Sequence, residues 1–391
     1  MQVFHTESKI IITCNKRLST YLQREVEALG YEPVRVFPTG VELKGTVTDT
    51  IPLNLNLRCA SQVLYSLKTF TARDPKELYE ELVTIEWEKL IDFTGYFSVS
   101  SNVNNEHILT PLFANVKVKD AIADRIKSIK GIRPDSGPEV NKTLVHLYWQ
   151  DDRAEIFLDT SGETLAKHSY RKIPGKAPML EALAASTIMA TKWDMKSTFI
   201  NPMCGSGTLA IEAALLATDK SPGLFRMNYA FMHILGYDET VFFAERRALK
   251  DKSKKETGFK IIATDISEDA VDIARKNART AGVEHLIDFA VCDFEDTEVP
   301  AETGVVMFNP EYGERLGVHT KLEITYKRMG DFMKKKCLGY NGYVFTGNPD
   351  LAKKIGLKAA RKIEFYNGKL DCRLFEYELY QGSKREPKEE N

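Results

Sequence analysis

The chain has 391 residues, 43% apolar and 28% charged, with 54 Lys plus Arg against 55 Asp plus Glu and a formal net charge of −1. At roughly 150 residues per domain this predicts two or three folded domains. It excludes a disordered chain, a uniformly basic nucleic-acid coat and a strongly acidic tail, while leaving room for a local basic face.

No apolar run reaches the ~18 residues of a membrane helix. The start carries no basic region followed by an apolar stretch. The six cysteines (Cys14, Cys59, Cys204, Cys292, Cys337 and Cys372) form no Cys-x-x-Cys, and the seven histidines are scattered. Reduced thiols in a cytoplasm are expected, with no membrane partner and no metal.

The first 160 residues predict mixed α+β structure. Lys9 to Cys14 reads as a strand, and Leu18 to Leu29 as a helix stopped by Gly30. Two short strands, Val34 to Phe37 and Val41 to Lys44, flank a turn, and Gln62 to Phe70 is another strand. Asp74 can cap a helix that has Pro75 at its first position and Glu77 three residues after the cap. Tyr96 to Val103 alternates as a strand, and Asp120 to Ile129 reads as a helix ended near Gly131. Leu144 to Trp149 and Ala154 to Leu158 make a hairpin.

After Ala177 the rhythm changes to alternating strands and helices. Met179 to Thr191 is an apolar helix. A strand, a Gly-rich turn and a helix follow at 198–218, and an inserted region occupies roughly 219–258. Strand Ile261 to Asp265 leads into a helix from Ser267 to Ala281, closed by Gly282. Further strands are Asp288 to Cys292, Val305 to Phe308 and Tyr343 to Thr346, then Lys362 to Tyr366 and Leu374 to Tyr380 around Asn367-Gly368. This order predicts an α/β fold with a mostly parallel, doubly wound Rossmann-like sheet and a C-terminal antiparallel hairpin strand.

Two segments carry chemistry. The first is Thr198-Phe-Ile-Asn-Pro-Met-Cys-Gly-Ser-Gly-Thr208, at a strand end and opening a helix. Gly205 and Gly207 allow backbone to approach a ligand, and the helix N-terminus favours negative charge. A plain structural turn is the alternative. Gly205, Gly207 and Ala210 also satisfy G-x-G-x-x-A, but a nicotinamide site wants its acid about 20 residues on, and Asp265 stands 58 residues after Gly207. Asp265 can accept both hydroxyls of a ribose or cap the following helix, a task Ser267 can also perform. Asp293 can accept from an adenine amino group or be an ordinary loop carboxylate.

The second segment is Val305-Val-Met-Phe-Asn-Pro-Glu-Tyr-Gly-Glu-Arg-Leu316. The Asn309 side-chain oxygen and a main-chain carbonyl, that of Pro310, can accept both protons of a planar exocyclic amine. Tyr312 offers a stacking face for an extruded base, or plugs a turn.

On these residues the chain resembles class I S-adenosylmethionine-dependent RNA methyltransferases carrying a THUMP domain. Asn201 to Thr208 and Asn309 to Gly317 look like the two signature motifs, and Ala177 to Ala185 resembles the helix before the cofactor loop. Leu158 to Leu165 with Tyr170 and Arg171 resembles the inter-domain segment. Leu57 to Ala60 and Val118 to Asp124 resemble the THUMP portion more loosely. The likeness is greatest to bacterial large-subunit ribosomal RNA guanine-N2 methyltransferases. Two positions depart from the pattern: Asn201 where Asp is common, and Glu311 where a second Pro is common.

The resemblance implies a ferredoxin-like subdomain at 1–56, a THUMP RNA-binding domain at 57–160, a linker at 161–177 and a class I methyltransferase domain at 178–381; residues 382–391, which lack apolar anchors, read as a disordered tail. The resemblance also implies S-adenosyl-L-methionine as cofactor, held by Asn201, Pro202, Cys204, Gly205, Gly207, Thr208, Asp265, Ile266, Asp293 and Phe294. Asn309, Pro310 and Tyr312 would hold the target guanine, and ribosomal RNA would be the partner. Lys119, Lys127, Lys130, Arg133 and Arg171, from two basic clusters, are candidate phosphate contacts; solvated helix faces are the alternative. Transfer RNA, an adenine amine, or a non-catalytic RNA-binding assembly role are the competing readings.

Overall fold

The computed structural model describes residues 3–106, 108, 110–173, 178–312 and 319–380. The expected tail at 382–391 and residues 313–317 of the second motif lie outside them. Among the described residues no helix is long and apolar enough to cross a membrane. The chain forms two units: Met1–His168 with Ser221–Lys252, and Ser169–Lys220 with Ser253–Asn391.

The first unit is built on an eight-stranded sheet of β1 (Ser8–Cys14), β2 (Arg35–Phe37), β3 (Gly40–Gly45), β4 (Ala60–Thr71), β5 (Tyr96–Asn104), β6 (Asp135–Ser136), β7 (Thr143–Gln150) and β8 (Arg153–Asp159), in the order β2-β3-β1-β4-β8-β7-β5-β6. Its helices are α1 (Ser19–Ala28), α2 (Thr50–Asn56), α3 (Pro75–Leu82) and α4 (Pro111–Lys130). Helix α3 starts as its sequence dictates. Asp74 Oδ1 accepts the N–H groups of Lys76 and Glu77 at 2.8 and 2.9 Å, and Glu77 reaches back to the Arg73 N–H at 2.8 Å. Helix α4 begins at Pro111, nine residues before the expected start at Asp120. Ala114, Val118, Ala121, Ile122 and Ile126 lie on one buried face, so the earlier turns continue the same stripe.

A buried polar network follows β8. Asp159 accepts from the Ser161 and Gly162 N–H groups at 2.9 and 3.2 Å and from Gln62 Nε2 at 2.6 Å. Burial outweighs these bonds and the nearby Arg226 charge, and pushes the Asp159 carboxyl from 3.8 up to about 7. A raised carboxyl contributes stability that is complete below the unfolded value and lost as pH rises through the folded one. Asp159→Asn removes this titration. The wild-type-minus-variant stability should therefore fall by on the order of 4 kcal/mol between pH 4 and 7, at about 1.4 kcal/mol per unit. Urea denaturation of both proteins across that range measures it; parallel curves would contradict it.

The second unit holds a seven-stranded sheet. After α5 (Glu181–Met189), strand β9 (Thr198–Pro202) leads into α6 (Thr208–Ala217). The chain then gives residues 221–252, with α7 (Glu239–Lys252), to the first unit, where the expected contiguous domain at 178–381 would not have placed them. Arg246 fixes this segment by donating to the carbonyls of Gly223, Leu224 and Arg226. Arg226 donates to those of Ser161 and Glu163.

The second unit resumes with β10 (Ile261–Asp265), α8 (Glu268–Ala281), β11 (Ile287–Val291), β12 (Gly304–Phe308), α9 (His319–Lys336), β13 (Asn341–Thr346), α10 (Pro349–Lys354), β14 (Arg361–Asn367) and β15 (Leu370–Glu378). The strand order is β11-β10-β9-β12-β13-β15-β14, with only β15 running against the rest. Strands β10 and β12 flank β9 on opposite sides, so the order reverses at β9. In open α/β sheets the crevice for ligands lies beyond the strand carboxyl ends at such a reversal. Beneath it Phe294, Phe308 and Phe332 meet edge-to-face at 6.0 to 6.2 Å.

Candidate active site

The carboxyl ends of β9, β10 and β12, with the turn after β11, carry every residue expected to bind cofactor or base. Met203, Gly205 and Gly207 all take the left-handed backbone, with φ of 58°, 54° and 81°. The two glycines differ in what a side chain would meet. A Cβ at Gly207 would lie 2.8 Å from Ala274 Cβ on α8, so Gly207 permits helix packing. A Cβ at Gly205 would meet nothing within 4 Å, so this position faces open space.

The loop is pinned from both sides. The Cys204 N–H donates to the Thr264 carbonyl at 2.9 Å, and the Gly205 N–H to Asp265 Oδ2 at 2.9 Å. Asp265 Oδ1 accepts the Ser267 N–H at 3.0 Å. The helix cap is Ser267, whose hydroxyl accepts from the Ala270 N–H at 3.3 Å. Asp265 is thereby released from capping. Beside it Ile266 is 74% exposed, an apolar side chain facing solvent. Asn201 Nδ2 donates to the Met307 carbonyl at 2.9 Å, a bond across to β12 that a carboxylate could not make. Pro202 and Cys204 are buried at the strand end, and Thr208 opens α6.

Asp293 caps the short turn Phe294–Asp296, accepting the Glu295 N–H at 3.0 Å and a guanidinium nitrogen of Arg328 at 2.8 Å. Burial acts to raise this carboxyl; Arg328 and the Glu295 N–H outweigh it and hold it below the usual range.

The amine motif sits at the end of β12. Asn309 Oδ1 is buried with no hydrogen-bond partner among the described residues. Pro310 is buried, and Glu311 is exposed while its carbonyl accepts from the Tyr326 hydroxyl at 3.3 Å. Tyr312 is half-buried, edge-on to Phe345 at 6.4 Å, and its hydroxyl accepts from Asn367 Nδ2 at 2.9 Å. Burial pushes its phenol up to about 12, so it stays neutral. An oriented, unsatisfied acceptor beside a braced aromatic ring suits capture of a flat amino-bearing ring.

The basic residues divide. Lys127 and Lys130 are exposed, Lys130 lying 5.9 Å over the Phe93 ring. Lys119 is half-buried, and Arg133 is exposed but paired with Asp120 and Asp124 at 3.1 and 2.9 Å. Arg171 corrects its expectation as a phosphate contact. Its side chain is only 11% exposed, and it binds the Met179 carbonyl, Thr208 Oγ1 and Glu181 in the second unit. His168, three residues earlier, is buried against the Arg58 carbonyl.

Sequence reasoning missed the supporting residues. Asn277 on α8 bonds the backbone of Lys172, Ile173 and Ser206, tying residues 172–173 to the glycine loop. Arg328 and Tyr326 on α9 brace the turn after β11 and the amine motif. The 3.6-residue spacing of Leu322, Tyr326, Met329 and Phe332 was the available signal for α9.

The RMKL-like methyltransferase domain family matches residues 168–376, the RlmL ferredoxin-like domain 9–64, and the THUMP domain 72–159. The chain is 33% identical over 383 residues to the ribosomal RNA large subunit methyltransferase K/L of Syntrophotalea carbinolica, covering 95% of this chain and 53% of that protein. It is 34% identical over 376 residues to the same-named protein of Psychromonas ingrahamii, covering 93% and 49%. The chain thus spans about half the length of the curated relatives it matches. The crystal structure of SMU.472 complexed with SAH superposes with a TM-score of 0.86 at 27% identity, covering 96% of this chain and 99% of that one.

Proposed function

This chain belongs to the RMKL-like methyltransferase family, and we propose that it methylates the exocyclic N2 amine of a guanine in large-subunit ribosomal RNA, with S-adenosylmethionine as donor. The observation that carries this reading is the buried Asn309 Oδ1 at the end of β12, which has no hydrogen-bond partner among the described residues. A buried acceptor left open costs about 1–3 kcal/mol, and a substrate amine repays it. The relatives' names and the SAH bound to SMU.472 support the RNA and the cofactor.

The residues fit that cofactor. The open face at Gly205 and the start of α6 at Thr208 would take its methionine end. Asp265 would accept the ribose hydroxyls, Ile266 would cover the adenine face, and Asp293 with the Phe294 backbone would read its edge. Asn201, Pro202 and Cys204 hold the loop that carries these groups. When bound, the sulfonium supplies an electrophilic methyl group.

The protein's own task is orientation. Asn309 Oδ1 and the Pro310 carbonyl accept the two amine protons and turn the nitrogen lone pair out of conjugation. Tyr312 supports the base, its hydroxyl fixed by Asn367. Once the nitrogen has bonded the methyl group it is a cationic, strongly acidic amine; its extra proton passes to solvent water, so no strong base is needed. The six free cysteines support a cytoplasmic location.

Transfer of labelled methyl groups to naked large-subunit RNA, small-subunit RNA and transfer RNA, followed by nucleoside mass spectrometry, tests the proposal. The expected product is N2-methylguanosine in large-subunit RNA. Label in transfer RNA alone, or as N6-methyladenosine, would overturn the substrate, and no label in any RNA would overturn the chemistry.

We also place RNA phosphates on the exposed Lys127 and Lys130 of α4. Lys127→Glu with Lys130→Glu should lower the slope of log affinity against log salt by about 1–2, at about 0.7 per phosphate on single strands. Filter binding at several salt concentrations measures the slope; an unchanged value would remove these lysines from the interface.

A further inference from the structure

We propose that Arg328 is a positioning residue that aims Asp293 at a 6-amino purine and so makes this site prefer an adenosyl over an inosyl ligand. The inference rests on the cofactor reading above. One terminal nitrogen of Arg328, projecting from α9, donates to Asp293 Oδ1 at 2.8 Å and to Glu295 Oε2 at 2.7 Å. The guanidinium also lies 4.9 Å over the Phe294 ring, which fixes it in place between the two carboxylates. The Glu295 N–H donates to the same Asp293 oxygen at 3.0 Å.

Asp293 Oδ1 therefore holds two donors, while Oδ2 has no protein partner among the described residues. Next to it stands the first N–H of the Phe294–Asp296 turn, which no intrahelical acceptor can reach. An acceptor beside a donor complements adenine, whose 6-amino group donates and whose N1 accepts. Hypoxanthine presents the reverse, an oxygen at position 6 and an N1–H, and meets both groups wrongly.

Without Arg328 the arrangement loses its cause. Asp293 and Glu295 share that guanidinium, so its removal leaves two neighbouring like charges. Burial, which already acts to raise Asp293, then goes unopposed by the guanidinium. The carboxyl swings away or takes a proton, and a protonated carboxyl can donate to a 6-oxo group as readily as it accepts from an amino group.

Calorimetric titration of wild type, Arg328→Gln and Arg328→Lys with S-adenosylhomocysteine and with S-inosylhomocysteine tests this, with thermal melts as a check on folding. Wild type should prefer the adenosyl ligand by about 100-fold. Arg328→Gln should weaken that ligand about tenfold or more, the scale of one charge-assisted hydrogen bond, and change the inosyl ligand little, so the preference collapses. Arg328→Lys should keep part of the preference, and it carries the test if the Gln variant does not fold. A preference equal to wild type in both variants, or equal weakening of both ligands, would overturn the role of Arg328. Failure of the wild type to bind either ligand would instead overturn the cofactor reading.

Discussion

Replacing Asn309 with Ala should lower single-turnover methyl transfer about 10²- to 10³-fold, the scale of losing one aimed polar group. Affinity for S-adenosylhomocysteine should stay within about twofold, because the cofactor-facing residues lie on the loops after β9, β10 and β11. The same substitution should not lower the melting temperature. Asn309 Oδ1 is buried without a partner among the described residues, so removing it relieves a desolvation cost of about 1–3 kcal/mol. Rapid-quench kinetics, calorimetry and a thermal melt together separate this outcome from general misfolding. A variant that transfers methyl groups at the wild-type rate would take Asn309 out of the mechanism.

The second large effect belongs to Asp265. Its two oxygens accept the Gly205 and Ser267 N–H groups at 2.9 and 3.0 Å. They retain further lone pairs, because an ionised carboxylate offers about four acceptor sites. Two ribose hydroxyls bound to a charge at about 1.5–3 kcal/mol each predict that Asp265→Ala weakens S-adenosylhomocysteine by about 10²-fold or more. The same change frees the Gly205 N–H and loosens the glycine loop. Asp265→Asn, which keeps the shape and loses the charge, should fall between the two. Calorimetry reads the constants, and an alanine variant within about threefold of wild type would place the ribose elsewhere.

The parts of this molecule that were legible in sequence are those decided locally. Strand β10 ends at Asp265 as expected, because a short apolar β-rich run meets the Ser267 cap there. Gly282 closes α8 in the left-handed conformation at φ 62°. The Asn367-Gly368 turn sits between β14 and β15 as read, but the sequence could not show that β15 slips between β13 and β14. Strand-end residues of the site were equally legible, since a strand followed by a glycine turn or an Asn-Pro pair announces its own carboxyl end.

What was not legible depends on distant partners. Arg171 carries the charge of a phosphate ligand, yet Glu181 and two oxygen acceptors draw it inward. Residues 221–252 look like an insertion in a methyltransferase sheet, and only long-range bonds, such as Arg226 to the Ser161 and Glu163 carbonyls and Asn56 to Glu245, reveal that they pack in the first unit. Arg328 stands 35 positions after Asp293, on a helix whose lysine-rich exposed face obscured its apolar stripe.

A crystal structure of the chain soaked with S-adenosylhomocysteine would show directly where the donor sits relative to the amine motif. The ribose should lie on Asp265, the adenine over Ile266 with its amino group at Asp293, and the sulfur should turn toward Asn309. A ligand bound away from Gly205 and Asp265, or one whose sulfur points away from Asn309, would contradict this placement.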